Sequence, residues 1–176
     1  MKTVYKKKIS SIVIIAAVLT LAMSITVFAA LRLLNSKNVA EHLEDTGLAE
    51  AFEGKDAIEV NKSIESGGYI FTFHGIVSGE GLSKFRHSAE DINPDRTYAV
   101  ISIAKADGSS MPDTTDEEYK ETPFFISPLI KGQKPWQVNI ASMNGAYGEF
   151  VEDGIMYRLI QCDGVEMFAD RGLYLA

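Results

Sequence analysis

Lys131, Lys134 and Trp136 are the residues whose types and spacing best suit binding chemistry. They lie around a turn that also contains Gly132 and Pro135, so an indole ring stands near two ammonium groups. Tryptophan and cationic side chains are frequent among the residues that dominate binding energy, and this cluster therefore predicts a small ligand patch rather than a catalytic cleft. The competing and more common arrangement is a surface turn that leads into a buried tryptophan.

The sequence offers no comparable arrangement for catalysis. His42, His74 and His87 lack metal-ligand spacing, and none of them neighbours a cysteine. His74 stands in an apolar run, so we expect a core or sheet-edge residue. No Gly-x-Ser-x-Gly motif is present to carry a nucleophilic serine. We therefore predict no catalytic residues, no metal site, no cofactor and no enzymatic activity.

Two acidic segments, residues 113–118 and 91–95, suggest a cation site only weakly. Ca²⁺ requires several converging carboxylate oxygens, and residues 113–118 supply four acidic side chains. The segment lacks the glycine and the terminal glutamate spacing of an EF-hand loop. We expect both segments to be solvated loops.

Residues 9–30 form a run of 22 uncharged residues that follows three consecutive lysines. As a helix the run would be roughly 33 Å long, because each residue rises about 1.5 Å. That length is enough to cross a bilayer core of about 30 Å. The positive-inside rule then assigns residues 1–8 to the cytoplasm, residues 9–34 to a transmembrane anchor and the rest to the extracytoplasmic side. The sequence thus predicts a single-pass cell-membrane protein.

A cleaved signal peptide is the alternative for the same segment. Residues 27–30 fit a signal-peptidase site with cleavage after Ala29, which would leave Ala30 as the first residue of a secreted protein. A signal-peptide core usually has about 7–15 residues, whereas this run is longer. Leucines also continue the apolar character beyond Ala30. We take the retained anchor as the first interpretation.

Charge and cysteine content restrict the partners. The first 30 residues carry four lysines and no acidic residue, and the remainder carries 13 basic and 24 acidic residues, a net charge of −11. Phosphate would be repelled, so we predict no nucleic-acid partner. Cys162 is the single cysteine, which excludes an intramolecular disulfide. We expect it to be a buried small hydrophobe in a strand, with an intermolecular bridge or a reactive thiol as the alternatives.

Residues 35–55 have helical spacing of apolar residues and predict a short juxtamembrane helical segment. Ser36 or Asn38 is the expected N-cap. Gly47 is expected to divide the segment, and Gly54 is expected to end it.

Residues 56–176 change to alternating, β-branched and aromatic patterns and predict an extracytoplasmic β-rich domain. The Asp-Gly pairs at 153–154 and 163–164 favour type I′ hairpin turns and an antiparallel meander. Seven or eight short strands indicate an antiparallel β-sandwich, with an immunoglobulin-like form as the specific expectation. The chain stops within its last strand, so we expect this domain to be incomplete at its C-terminus. Nine segments have strand character and supply these strands: residues 57–61, 69–77, 97–104, 123–126, 136–140, 147–152, 155–162, 165–168 and 173–176.

Several motifs together resemble the DUF4179 family of Gram-positive bacterial proteins. They are Ser-Gly-Gly-Tyr at 66–69, Gly-Ile-Val-Ser-Gly at 75–79, Arg-Thr-Tyr-Ala-Val at 96–100, Met-Pro-Asp-Thr at 111–114 and the segment 127–145. The similarity extends from about Leu31 onward. It implies one membrane span, an extracytoplasmic β-rich domain and an anti-sigma-factor-like role, or association with an extracytoplasmic-function sigma factor. It implies no catalytic residues.

The chain departs from an anti-sigma factor in one respect. Residues 1–8 are too short to bury about 800 Å² against a sigma factor in the cytoplasm. We therefore expect a binding or sensing domain, accessory to sigma-factor or envelope-stress regulation, that signals through its transmembrane helix to a protein partner in the membrane or envelope. A secreted binding module is the second expectation, and an exported hydrolase is the third.

Overall fold

The computed structural model describes residues 33–78, 93, 95–121, 123–168 and 170–176. Most of the predicted anchor at 9–34, including Ala29 and Ala30, lies outside these residues, as does His87. None of the helices in the described ranges has both the length and the apolar character that a membrane crossing needs.

Two short helices open the described chain, α1 at Ser36–His42 and α2 at Thr46–Glu53. Asn35 caps α1, because its side chain accepts a hydrogen bond from the Asn38 amide at 2.9 Å. Asp45 caps α2 in the same way, accepting from the Leu48 amide at 2.8 Å. Each side-chain oxygen satisfies an amide that lacks a partner inside its helix.

Residues 35–55 contain two helices, and two details of the prediction for them were wrong. Neither Ser36 nor Asn38 is the N-cap, because Asn35 precedes both and takes that role. The division comes at Glu44, whose φ is 63°, and not at Gly47, which lies inside α2. Asp45 accounts for the difference, since its capping bond starts a new helix before Gly47 is reached. Gly54 ends α2 as predicted.

Five strands form one antiparallel sheet in the order β1-β2-β3-β6-β5. β4 and β7 form a separate two-stranded ladder. Short 3₁₀ turns occupy Glu118–Glu121 and Glu166–Phe168. The strands are β1 Ile58–Ser66, β2 Tyr69–Ser78, β3 Arg96–Lys105, β4 Pro128–Ile130, β5 Ala146–Glu152, β6 Ile155–Asp163 and β7 Leu173–Leu175.

Both faces of the five-stranded sheet are covered at its central strands, whereas edge strand β1 is largely exposed. The two helices pack on one face, where Val39 and Leu48 join a core with Val100 of β3. On the other face, Ile101 and Ile103 of β3 belong to a second core, which irregular segments and the β4–β7 ladder cover. The prediction of a mainly β fold with antiparallel pairing is confirmed.

A bulge in β2 sets the fit between helices and sheet. Phe73 pairs with Ile101 and Gly75 pairs with Val100, so His74 is the extra residue. A Cβ added to Gly75 would lie 2.8 Å from the Ser36 Oγ. Glycine is therefore required where the start of α1 approaches the sheet.

Three predicted strands were wrong. In residues 136–140, the amides of Gln137 and Val138 donate to the Lys134 carbonyl, so local turns replace a ladder. Asn139 adds bonds to the amides of Ala141 and Ser142, in the way that short polar side chains compete with strands. The segment 165–168 turns because the Phe168 amide donates to the Val165 carbonyl.

The third segment, residues 123–126, runs beside the sheet without a strand partner. Its Phe124 carbonyl accepts a hydrogen bond from Arg158 Nη1 at 2.7 Å, so a guanidinium takes the place of a neighbouring strand. In the described residues the only strands of the second layer are therefore those of the β4–β7 ladder, and irregular chain forms the rest of it, so it is smaller than the second sheet of the expected sandwich.

Arg158 and Glu149 form an ion pair inside the second core. Glu149 Oε2 accepts from Arg158 Nε at 2.7 Å and lies 2.6 Å from Nη2, while the two side chains are only 4% and 10% exposed. The Tyr147 ring covers the guanidinium at 4.3 Å. Together with the bond to Phe124, these contacts engage every nitrogen of the guanidinium.

We predict that Glu149→Gln destabilises the fold by about 3–5 kcal/mol, because it leaves the buried Arg158 charge uncompensated. Urea unfolding measures the loss. The matched control is Glu53→Gln, which breaks a more exposed pair with Lys37 at 3.0 Å and should cost much less, because solvent screens that pair. Equal small losses in both variants would contradict a structural role for the Arg158–Glu149 pair.

Candidate functional site

The predicted ligand patch is built on the end of β4. The Gln133 amide donates to the Ile130 carbonyl at 3.0 Å, and Gly132 between them has a φ of 80°. Only glycine adopts that conformation without strain. The Lys131 amide donates to the Gly172 carbonyl at 2.7 Å, which fastens this turn to the chain that enters β7.

A second turn carries Trp136. Pro135 leads into it, and the Gln137 amide closes it on the Lys134 carbonyl at 2.8 Å. The Lys134 Nζ lies 5.3 Å from the centroid of the Trp136 ring, which is within cation–π distance. Trp136 is 72% exposed. The competing interpretation, a turn leading into a buried tryptophan, was therefore wrong.

The patch also includes a basic residue, Arg171, that the sequence analysis did not identify. Arg171 Nη1 lies 4.0 Å from the position of a Cβ on Gly132, so its guanidinium stands beside the Lys131 turn. Asp170 lies 3.8 Å from the Arg171 Nε. Arg171 is distant in sequence, and only the β4–β7 pairing brings it to the patch, so no local motif could have indicated it.

The acidic segment 113–118 uses its carboxylates locally. Asp113 Oδ1 accepts from the Thr115 amide at 3.0 Å and from its hydroxyl at 2.9 Å, and these bonds lower the pKa of Asp113. Asp116 Oδ2 accepts from the Asp113 amide at 2.9 Å. Within the described ranges, no group of three His, Cys, Asp or Glu residues is placed to hold a metal ion. Of residues 91–95, only Asn93 and Asp95 are described, and Asn93 Oδ1 accepts from the Asp95 amide.

Both described histidines have structural partners. His74 is 3% exposed, and its Nε2 lies 2.8 Å from the Ser102 Oγ. Burial lowers the pKa of His74 to about 4, so the ring is neutral at pH 7. His42 stacks on the Phe150 ring at 3.6 Å and lies 3.1 Å from the Glu152 carboxylate. The prediction that His74 is a core residue is confirmed.

Cys162 is buried in β6, as predicted. Burial is the main cause that raises the pKa of its thiol to about 11. A thiol that stays protonated at neutral pH is a poor nucleophile and metal ligand. The buried position favours the packing role over the two alternatives, an intermolecular bridge and a reactive thiol.

Comparison with known proteins gives no further constraint. The chain matches no protein-family description, no curated protein and no solved structure.

Trp136 is the single tryptophan of the chain, and it therefore reports on the patch directly. We predict an emission maximum typical of solvent-exposed indole, with little further red shift on unfolding in urea. Iodide should quench it more strongly than caesium, because the Lys134 ammonium concentrates anions near the ring.

Lys134→Ala should weaken iodide quenching, whereas Lys62→Ala on strand β1 serves as the matched control and should not. A blue-shifted emission that is insensitive to either ion would contradict an exposed patch.

The buried neutral His74 predicts a loss of stability in acid. Its pKa is about 4 when folded, below the ordinary value of 6.5, so the unfolded chain binds a proton first as the pH falls. The stabilisation is fully present above about pH 6.5 and decreases toward pH 4, by about 3 kcal/mol in total. Urea unfolding at pH 7 and pH 4 measures this loss. His74→Gln should show a shallower dependence over that interval, and identical slopes in both proteins would contradict the assignment.

Proposed function

We propose that this chain is a membrane-anchored, extracytoplasmic binding domain that recognises its ligand through Lys131, Lys134 and Trp136, with Arg171 as a further contributor. The observation that carries this proposal is the exposed Trp136 ring held against the Lys134 ammonium. A protein of this size has many buried positions for its one tryptophan. Its location on a surface turn, among basic side chains, suits recognition of a partner.

The charge of the patch suggests the kind of ligand it recognises. Lys134 lies over the Trp136 ring, and Lys131 and Arg171 belong to the adjoining turn. The chain beyond residue 30, by contrast, has a net charge of −11. A basic patch on an acidic domain favours an anionic surface on a protein or envelope component, because attraction is concentrated at that patch. The same overall charge opposes nucleic acid.

A binding role also agrees with the partners of the described reactive side chains. His74 is bonded to Ser102, and Cys162 is a buried thiol with a raised pKa. His42 stacks on the Phe150 ring and pairs with the Glu152 carboxylate at the surface. We therefore propose a protein that is not an enzyme.

The regulatory part of the proposal rests on the resemblance to the DUF4179 family. We propose an accessory or sensing component of sigma-factor or envelope-stress regulation. Residues 1–8 are cytoplasmic in this topology, and we propose that a membrane partner carries the signal inward. For the fold, we propose that the β4–β7 ladder is the reduced second layer of a β-sandwich.

A cleaved, secreted form is the second candidate, because residues 27–30 fit a signal-peptidase site. Fractionation of cells that express a tagged chain, followed by N-terminal sequencing, separates the two. Full-length protein in the membrane, with its C-terminal tag accessible to external protease, supports the anchored form. A soluble product that begins at Ala30 removes the route to the cytoplasm and contradicts the regulatory proposal.

The patch is tested in cells with a photoreactive amino acid at position 137 of the full chain, where Gln137 is exposed and Trp136 beside it is kept. The matched control carries the same amino acid at position 64, where Ile64 is also exposed but lies on edge strand β1. We predict a discrete crosslinked species from position 137 that is absent from position 64 and weakened several-fold by combined Lys131→Ala and Lys134→Ala substitutions. Equal crosslinking at both positions, or indifference to the lysine substitutions, would contradict recognition by this patch.

A further inference from the structure

A cavity of about 230 Å³ lies between the five-stranded sheet and the β4–β7 ladder. Ile76, Ala99 and Ile160 line it from the sheet, and Leu173 and Leu175 line it from β7. The ligand patch lies beyond the end of β4, so the cavity is a separate site that shares the ladder as a wall.

The interior of this cavity is apolar and suited to remain dry. The Thr97 hydroxyl lines it, but its oxygen already accepts a hydrogen bond from the Val165 amide at 3.1 Å. Cys162 also lines it, and its protonated thiol behaves as a small apolar group. A water molecule needs two to four polar partners, whereas dry apolar cavities accept apolar molecules.

β1 is an exposed edge strand that contributes to the lining, so we place the mouth of the cavity beside it. Among the described residues that line it, only Glu59 and Lys62 are charged, and both are exposed on that edge strand. Their charges are opposite, so the mouth attracts neither anions nor cations strongly. It offers a hydrogen-bond donor and acceptors to a neutral polar group.

We infer that this cavity binds the aliphatic chain of a neutral amphiphile, with the chain against Ile76, Ala99 and Leu175 and the polar head at Glu59 and Lys62. The volume sets the length of the chain. Since a dry cavity of about 150 Å³ accommodates benzene with its six carbons, a cavity of 230 Å³ admits about eight or nine carbons.

The test uses the full chain in lipid nanodiscs and a series of 1-alkanols from butanol to decanol. The readout is the rate at which methyl methanethiosulfonate modifies Cys162, the single cysteine, followed by mass spectrometry. We expect protection of Cys162 to tighten by about fourfold for each added methylene, until a chain of about eight carbons fills the cavity. We also expect 1-octanol to protect better than octanoate or octylamine, because Glu59 and Lys62, the charged residues among the described lining, have opposite charges.

Two matched substitutions on β3 separate cavity binding from partitioning into the nanodisc lipid. Ala99→Val narrows the cavity and should shorten the best alkanol by one or two carbons. Ala104→Val adds the same group on the helix-covered face, where Ala104 belongs to the other core, and should leave the series unchanged. Leu175→Ala widens the cavity and should move the optimum to longer chains.

Absence of protection at every chain length would overturn the inference, and it is also the result expected if another segment of this chain fills the cavity. The same length optimum in Ala99→Val and in the unsubstituted chain would overturn it as well. Stronger protection by octanoate or octylamine would overturn the assignment of a neutral head group.

Discussion

The burial of β3 on both faces is the constraint from which the rest of the structure follows. Eight consecutive residues of this strand, 97–104, are buried, although antiparallel sheets commonly leave one face to solvent. Two covering layers are therefore needed. The two helices form one of these layers, and their backbone groups are hydrogen-bonded within the helices. The other layer is largely irregular chain, whose peptide groups must find partners elsewhere. Side chains supply several of them: Arg158 donates to the Phe124 carbonyl, the Ser127 hydroxyl accepts from the Ile140 amide, and the Thr97 hydroxyl accepts from the Val165 amide.

Patterns of neighbouring residues were sufficient to predict the five-stranded sheet, but not the irregular segments that cover it. The two Asp-Gly pairs illustrate the difference. Asp153 and Gly154 have φ values of 51° and 76°, so the pair forms the expected tight turn between β5 and β6. At the second pair, the Gly164 amide donates to the Asp95 carbonyl, almost 70 residues earlier in the chain. Because of this distant partner, the chain does not form a hairpin after β6. A sequence pattern of a few neighbouring residues cannot indicate such a long-range contact.

The same limit applies to the candidate sites. Lys134 and Trp136 are two residues apart, and their contact could be anticipated from composition and turn residues alone. Arg171 joins them only because Ile130 pairs with Leu173 in the β4–β7 ladder. The apolar cavity likewise exists between elements far apart in sequence, so the positions that line it read simply as core residues. The ladder contains three residue pairs and borders both sites, so its seating on the sheet fixes the geometry of each.

The hydrogen bond from the Leu34 amide to the Tyr157 hydroxyl, at 3.1 Å, determines how this domain can be tethered. α1 begins two residues later and is already seated on the sheet through Ser36 and Gly75. A membrane span that ended at residue 34 would therefore be followed directly by the folded domain, without a linker. In the proposed anchored form, tilt or rotation of the span would be transmitted to β6 through this hydrogen bond, and a load on the sheet would be transmitted back to the span by the same contact.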